Sequence, residues 1–552
     1  MEPVDVLIAG AGPVGLALAN LLGGYGRSVV VVEARDELID YPRGVGLDDE
    51  SFRTVQAMGL VSEVSRHTVP HHIVRLVNGR GRVLVTNDPA GEPLGWPRKH
   101  GFIQPLVDRE LLGGLARFDH VDVLFGHELT GLADDGGLVT ATVRTEAGTR
   151  EITARYVVGC EGGRSFARGW MGVEFEGRSP STRWLVVDVD HDPLGTPNVY
   201  LGADPRRPYV SIGLPHGIRR WEFMLRDDEP TERVTDPAFL ARLLRDHVPD
   251  PSALDVIGHR VFTHHGRIAS AFRKGRVLLA GDAAHLMPVW LGQGWNSGIR
   301  DAANLAWKLA AVLRGLSDDA LLDTYDSERR AHAKAMIDLN MTAGSIMKCG
   351  RAAGAVRDVV AGALNAVPSV KGYFTDMRFK PVPRYRSGVV VDQSSRTPGT
   401  AAAKVLRGLA PMVDAPDRSS PVGLQFPQPW VRTADLGDVR LDDVLGDWWA
   451  LAAWGNDPAR WLGEEERAMA AAFGMRLVCF TSETQRAWTE LAYPGVTVVG
   501  DVRGELKRWF DARATGAVFL RPDRFVAAAC LTQEAGPTLR AVLAAARFRR
   551  AG

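Results

Sequence analysis

The stretch that most limits what this chain can fold into is VDVLIAGAGPVG, residues 4–15. VDVLIA is an apolar run of the kind that forms a buried parallel strand. Gly10-Ala11-Gly12-Pro13-Val14-Gly15 follows, then LALANLLGGYG with the character of a helix, then SVVVVE (28–33) as a second strand. This is a GxGxxG turn in strand–turn–helix–strand context. Gly10 makes the tight turn, Gly12 lets a pyrophosphate approach the backbone, and Gly15 lets the helix pack against the strand. The free N–H groups at the helix start suit phosphate. Glu33, ending the second strand, is placed to accept hydrogen bonds from a ribose. The turn predicts a Rossmann-like unit binding a dinucleotide, without distinguishing FAD from NAD.

Two later segments repeat the theme of an acid at the end of a buried strand. RYVVGCEGGRSFAR (155–168) ends in Glu161-Gly162, with Arg164 and Arg168 beyond. RVLLA (276–280) ends in Gly281-Asp282, and ligands of open α/β sheets bind at the carboxyl ends of strands. Asp282 there can accept bonds from the hydroxyls of a ribityl chain. Beyond it, Gly292-Gln293-Gly294 precede NSGIRDAANLAWKLAAVL (296–313), apolar at helical spacing. The start of that helix would face a ligand that becomes negative, as the ring of a reduced flavin does. Together the segments point to FAD.

With these motifs on the page, the chain resembles the single-component flavin-dependent aromatic hydroxylases, the class A flavoprotein monooxygenases. GAGPVG, the mid-chain acid–glycine pair and GDAAH followed by PVWLGQG carry the class. LIDYPRGVGLDDES, FIQPLVD, RPYVSIGLPHGIRRWEFM, ERRAHAKAMIDL, MRFKPVPRY and RPDRFVAAA resemble the subgroup acting on 3-(3-hydroxyphenyl)propionate and 3-hydroxycinnamate, along essentially the whole chain. The pair Glu161-Gly162 departs from the usual Asp-Gly, and coenzyme affinity is the property this change is expected to alter. Leu291 stands where a polar residue is usual.

The resemblance implies FAD as bound cofactor, with NADH or NADPH, NADH being preferred, and O2 as co-substrates. Gly10, Gly12, Pro13, Val14, Gly15 and Glu33 would hold its adenosine end. Arg43 would sit near the flavin, Gln104 would contact the ribityl or pyrophosphate region with Arg109 nearby, Glu161 and Gly162 would serve flavin and nicotinamide binding, and Asp282, after Gly281, would bind the ribityl chain or pyrophosphate. Pro288, Gly292, Gln293 and Gly294 would line the flavin ring, with Asn296 at the first turn of the helix beyond. Pro288, Arg43 and Trp290 are the expected catalytic positions. The implied chemistry is ortho-hydroxylation of a phenolic acid through a flavin C4a-hydroperoxide, with no covalent nucleophile from the protein. The alternatives are the same chemistry on a larger aromatic polyketide, or a flavin reductase or isomerase that does not use oxygen. A narrow pocket with a cation deep inside favours the small acid; a wide groove favours the polyketide.

The expected organisation is α/β: a Rossmann-like FAD-binding domain from 1–171 and 271–395, an antiparallel-sheet substrate domain over 172–270, and a thioredoxin-like domain over 400–552. WLVVDVD, PNVYLG, RPYVSIGL and RRWEFML are the strands of the second. Tyr200, His216, Arg220, His264 and His265 are candidates there for handling a phenol or carboxylate. Trp290 and Trp295, flanking the GQG turn, are candidate ring-facing walls. His285 is expected to be structural. A Pro/Arg/Gly-rich connector is expected at 378–400. The last domain has no CxxC and so no expected redox role; contact between subunits of a homodimer, or packing on the main body, is expected instead.

Lys+Arg and Asp+Glu both total 66, which gives no reason to expect nucleic acid or an anionic membrane as partner. The four cysteines lack CxxC and metal-ligand spacing, so reduced thiols in a cytoplasm are expected, and no metal. The amino terminus shows no signal-peptide pattern and the chain no apolar run long enough to span a membrane.

Overall fold

The computed structural model describes residues 2–392 and 420–549. The end of the expected connector (393–400) and the first residues of the expected last domain (400–419) lie outside the described residues. The chain forms two compact units. One comprises Met1–Glu92, Trp96–Ala306 and Arg329–Pro381; the other comprises Pro93–Gly95, Trp307–Glu328 and Val382–Gly552.

The first unit is built on a parallel sheet. Val277–Leu279, Gly148–Gly159, Val4–Ala9, Val29–Val32 and Val121–Leu124 lie side by side in that order, all parallel. Their Val/Ile/Leu content without alternation suits strands buried on both faces. The register brings the strand ends together: Ala9 pairs with Gly159 on one side and Val32 on the other, and Gly159 pairs with Leu279. The turns after three of these strands therefore emerge side by side. A hairpin, Glu128–Asp134 and Val139–Thr145, runs antiparallel along the first half of Gly148–Gly159.

A second sheet has the order Asp255–Thr263, Arg183–Asp190, Arg219–Met224, Tyr209–Gly213, Val199–Ala203, Val74–Asn78, Val83–Asn87. It is antiparallel apart from the parallel contact of Val199–Ala203 with Val74–Asn78. Its four expected strands are present, and two strands from the amino-terminal third join its edge. Alternation divides its side chains. Leu185, Val187, Trp221 and Phe223 face the helix Pro237–Leu244. Trp184, Leu201, Val210 and Ile212 face the opposite way and pack with Trp290.

In the second unit, Ala450–Trp454, Arg476–Ser482 and Thr497–Asp501 form a parallel core. An antiparallel hairpin, Ala517–Leu520 and Val526–Cys530, is added to one side, and the helix Ala535–Ala545 follows. These are the elements expected of a thioredoxin-like fold. The interior is apolar, with Phe426, Phe480, Val499 and Val518 buried. It also contains a wholly buried ion cluster: Glu328 accepts from Arg521 at 2.8 and 2.9 Å and from Lys308 at 2.8 Å. Among the described residues no helix is long and apolar enough to cross a membrane.

Candidate functional site

The three glycines of the first turn have three different environments. Gly10 has φ +105°, and a Cβ there would lie 2.5 Å from the Cys160 carbonyl oxygen. A Cβ on Gly15 would run into the Gly10 carbonyl. A Cβ on Gly12 would meet no protein atom within 4 Å, so that side of the turn is open. The helix Pro13–Gly24 starts here with Pro13 in its first turn and Gly12 as N-cap. Val14 fills the space against Gly281 and Gly298, where added Cβ atoms would collide with it. Glu33 is tied to the same turn, its Oε2 accepting from the Ala11 N–H at 2.9 Å.

Gly281-Asp282 follows Val277–Leu279, two strands along the sheet from Val4–Ala9, and Gly281 takes φ +62°. Its N–H donates to Asp301 Oδ2 at 3.0 Å. The fully buried Asp301 also receives His285 Nε2 at 2.6 Å and Arg329 Nε at 2.8 Å. Burial would raise this carboxyl, but His285 and Arg329 hold it below the usual range. His285 is thus structural, as expected. Asp301 and Arg329 were not singled out from sequence; their link crosses two helix faces, and nothing local signals it.

Asp282 is left facing outward, a third exposed, with Arg43 Nη2 at 3.0 Å from its Oδ2. The Arg43 loop is held from both sides. Gln104 Oε1 accepts from the Gly44 N–H at 2.6 Å and the Arg43 N–H at 3.2 Å. The carbonyl of Pro42 accepts from Arg220 at 2.8 Å and Arg260 at 2.6 Å. Gln104 is oriented by Asp108, whose Oδ2 accepts from its Nε2 at 3.0 Å. Burial pushes the Asp108 carboxyl up to about 7, against the opposing effects of Gln104, the Arg43 charge and the Trp295 indole. Arg109 lies exposed on the same helix.

The GQG bend is fixed by Asn296. Its Nδ2 donates to the carbonyls of Gly292 at 2.7 Å and Gly46 at 2.9 Å, and its Oδ1 accepts from the Asp48 N–H at 3.0 Å. Gly292 takes φ +63°. The Gln293 side chain is buried with Oε1 unpartnered. Helix Gly294–Leu313 starts at the bend. Pro288 leads into a short turn carrying Trp290, and Trp295 packs on Phe102. Behind the bend, Arg300 joins Asp48 and Glu50, and Lys380 reaches Asp48 at 2.8 Å. The lysine of the RFKP string is therefore an anchor for the GLDDE segment.

Most of the other expected residues are engaged by partners of their own. Glu161 is spent locally: Oε2 accepts from the Ser165 hydroxyl at 2.7 Å and Oε1 from the Ala167 N–H at 2.9 Å, at the start of helix Phe166–Met171. Gly162, at φ +81°, turns the chain into that helix. Arg220 is paired with Asp188 directly opposite it, at 2.8 and 2.9 Å. Tyr200 alternates with Val199 and Leu201 and so projects to the far side of the sheet from Trp290. His216 and His265 bond to His67 and Ser179. His264 is buried between Trp184 and Trp290.

A family model described as an FAD binding domain matches residues 3–340, and one described as an HcaD C-terminal domain matches 423–545. The chain belongs to this FAD-binding family. FAD is its cofactor, and it is a flavin-dependent aromatic hydroxylase in class. It is 52% identical over 550 residues to a protein of Mycobacterium avium (strain 104) named 3-(3-hydroxy-phenyl)propionate/3-hydroxycinnamic acid hydroxylase, covering 98% of this chain and 91% of that one. Among solved structures, the flavin-dependent monooxygenase PieE with FAD and substrate superposes with a TM-score of 0.81 at 21% identity, covering 98% of this chain and 99% of that one. Aklavinone-11 hydroxylase with FAD and aklavinone gives a TM-score of 0.76 at 25% identity, covering 99% of each.

Proposed function

We propose that this flavin-dependent enzyme hydroxylates a phenolic acid, 3-(3-hydroxyphenyl)propionate or 3-hydroxycinnamate, beside the existing hydroxyl, using NADH and O2. The full-length likeness to a hydroxylase named for those acids is the observation that carries the substrate class. The four cysteines are free, which supports a reducing cytoplasm as the setting.

The residues fit FAD. The open side of Gly12 is a cradle that a Cβ would fill, and the buried Gln293 Oε1 is an acceptor awaiting a donor. Gly12 and the start of helix Pro13–Gly24 take the pyrophosphate, and Glu33 the ribose. Asp282, with Arg43 beside it, binds the hydroxylated linker. The bend at Gly292, Gln293 and Gly294 takes the ring, with the helix start beyond it favouring negative charge there. When bound, FAD supplies the chemistry that passes electrons from the nicotinamide coenzyme to oxygen and one oxygen atom to the aromatic ring.

The chain's own contribution is orientation and exclusion of water. Asn296 and Gln104 hold the two backbone segments that flank the bend, so their N–H and C=O groups are fixed before a ligand arrives. Trp184, Trp290 and the apolar sheet face around them form a dry wall for an aromatic ring.

The test is to follow NADH oxidation, oxygen uptake and product identity separately with the purified yellow protein. Catechol formation from 3-(3-hydroxyphenyl)propionate, matched mole for mole to NADH and oxygen, is expected. Oxygen uptake without hydroxylated product, or turnover only with a fused-ring polyketide, would overturn the reading.

A further inference from the structure

His264 is 3% exposed and neither ring nitrogen has a hydrogen-bond partner. Its ring stacks on Trp184 (5.4 Å between centroids, 16° between planes) and meets Trp290 edge-on (4.8 Å, 79°). An imidazole carries a donor and an acceptor when neutral, and leaving both unused in an interior is costly unless something else employs them. Burial keeps it neutral and pushes its pKa down to about 3, with the charge of Lys348 acting in the same direction.

Lys348 lies at the end of helix Asp323–Met347, whose last turn continues through the Lys348 N–H to the Gly344 carbonyl at 3.0 Å. Ile337, Met341, Gly344 and Lys348 follow one another at spacings of four, three and four residues, which is one helix face. Ile337 and Met341 pack at Gly266, and Gly344 lies against the Trp290 indole. Met347 belongs to the apolar cluster of Trp184 and Trp290. The face that carries Lys348 is therefore the one that closes over this aromatic wall. Lys348 is half-buried, and burial alone lowers its pKa, with no carboxylate opposing the shift. Among the described residues its ammonium group has no ion pair.

We propose that Lys348 and His264 form a subsite for the carboxylate of the substrate, with the aromatic ring against Trp184 and Trp290. The Lys348 ammonium supplies the charge and the His264 ring supplies one N–H donor to the same carboxylate. Pairing relieves both groups at once: the ammonium gains a counter-ion and the imidazole a partner. A neutral donor suits this place, because a second cation would repel the first. The subsite rests on the phenolic-acid reading above, and it accounts for selection of an aromatic acid over an uncharged aromatic of the same size.

The test compares 3-(3-hydroxyphenyl)propionate with its primary amide on the FAD-loaded enzyme. It uses Lys348→Met, Lys348→Arg, His264→Phe and His264→Gln. Binding is read independently of turnover from tryptophan fluorescence quenching. For Lys348→Met, the KM and Kd for the acid should rise roughly tenfold or more while kcat stays within about twofold, and the amide should be unaffected. Lys348→Arg should recover most of the loss, and His264→Gln should stay closer to wild type than His264→Phe. A Lys348→Met protein that binds the acid as wild type does, or that loses acid and amide equally, overturns the subsite alone. A wild-type enzyme that converts neither compound overturns the phenolic-acid reading and the subsite with it.

Discussion

Arg43 Nη2 and Asp282 Oδ2 are 3.0 Å apart although 239 residues separate them in the chain, and both side chains remain partly in solvent. An ion pair this exposed contributes little to stability, about 0–1 kcal/mol. Its value lies in being exchangeable: the carboxylate can give up the guanidinium for ligand hydroxyls at small cost. Asp282→Ala should therefore leave the thermal midpoint of flavin-free protein nearly unchanged. It should weaken FAD binding by about 1.5–3 kcal/mol, the range for a hydrogen bond to a charged group. Flavin absorbance per protein after purification, with a titration of added FAD, checks this. Full retention of the yellow colour would place the cofactor elsewhere.

Gly12 and Gly15 separate binding from folding. The Gly12 side of the turn is open, whereas a Cβ on Gly15 collides with backbone. Gly12→Ala should fold with a near-normal urea midpoint and lose flavin, because the methyl group occupies the approach to the turn. Gly15→Ala should lower the stability of the fold by about 1–3 kcal/mol, as overpacking does, and the urea midpoint with it. Equal effects of the two substitutions on stability would contradict the division of labour among the three glycines.

Asp301 carries a pH signature. Its folded carboxyl is held below the usual range by His285 and Arg329, against the effect of burial. The stability it contributes is present above the unfolded value near 4 and is lost as pH falls through the lower folded value. Asp301→Asn removes the charge and leaves the buried Arg329 guanidinium and the His285 ring facing an amide. The variant should lose about 3–5 kcal/mol at pH 7, the scale for breaking a buried pair. The gap to wild type should narrow as pH drops toward 3. Urea midpoints across that range decide it. Because Asp301 also receives the Gly281 N–H, flavin content should fall with it.

How much of this was legible beforehand depends on sequence distance. The strand–turn–helix at residues 4–24 is local, so apolar periodicity and three glycines sufficed to place it. The strand ends that meet at Ala9, Gly159 and Leu279 could be read because each run ends in a glycine or an acid beside one. The edge strands Val74–Asn78 and Val83–Asn87 could not, since they join a sheet built from residues more than a hundred positions later. Helix Arg351–Asn365 was also missed. It turns Arg357, Asp358 and Asn365 inward to bond with the sheet and leaves Val356 and Val359 in solvent, inverting the usual pattern. Arg220 looked like a ligand for a substrate acid, yet its partner Asp188 sits opposite it on the next strand, a relation that appears only once register is known. Glu161 likewise acquires its role as a cap only when helix Phe166–Met171 folds over it.

Asp108 gives the opposite pH dependence to Asp301. Burial pushes its carboxyl up to about 7, partly offset by Gln104 and the Arg43 charge, so the folded state holds its proton more tightly than the unfolded chain does. Stability must then fall as pH rises from the unfolded value near 4 through the folded value near 7. Asp108→Asn cannot ionise and keeps an acceptor for Gln104 Nε2. Its urea midpoint should gain on wild type between pH 5 and pH 8, with flavin retained because Gln104 still receives the Arg43 and Gly44 N–H groups. Asp49 is also pushed up to about 7, but it is present in both proteins and cancels in the difference. A difference between variant and wild type that does not change across that range would mean Asp108 ionises normally. Gln104 would then be held by an ordinary carboxylate rather than by a buried acid that keeps its proton near neutrality.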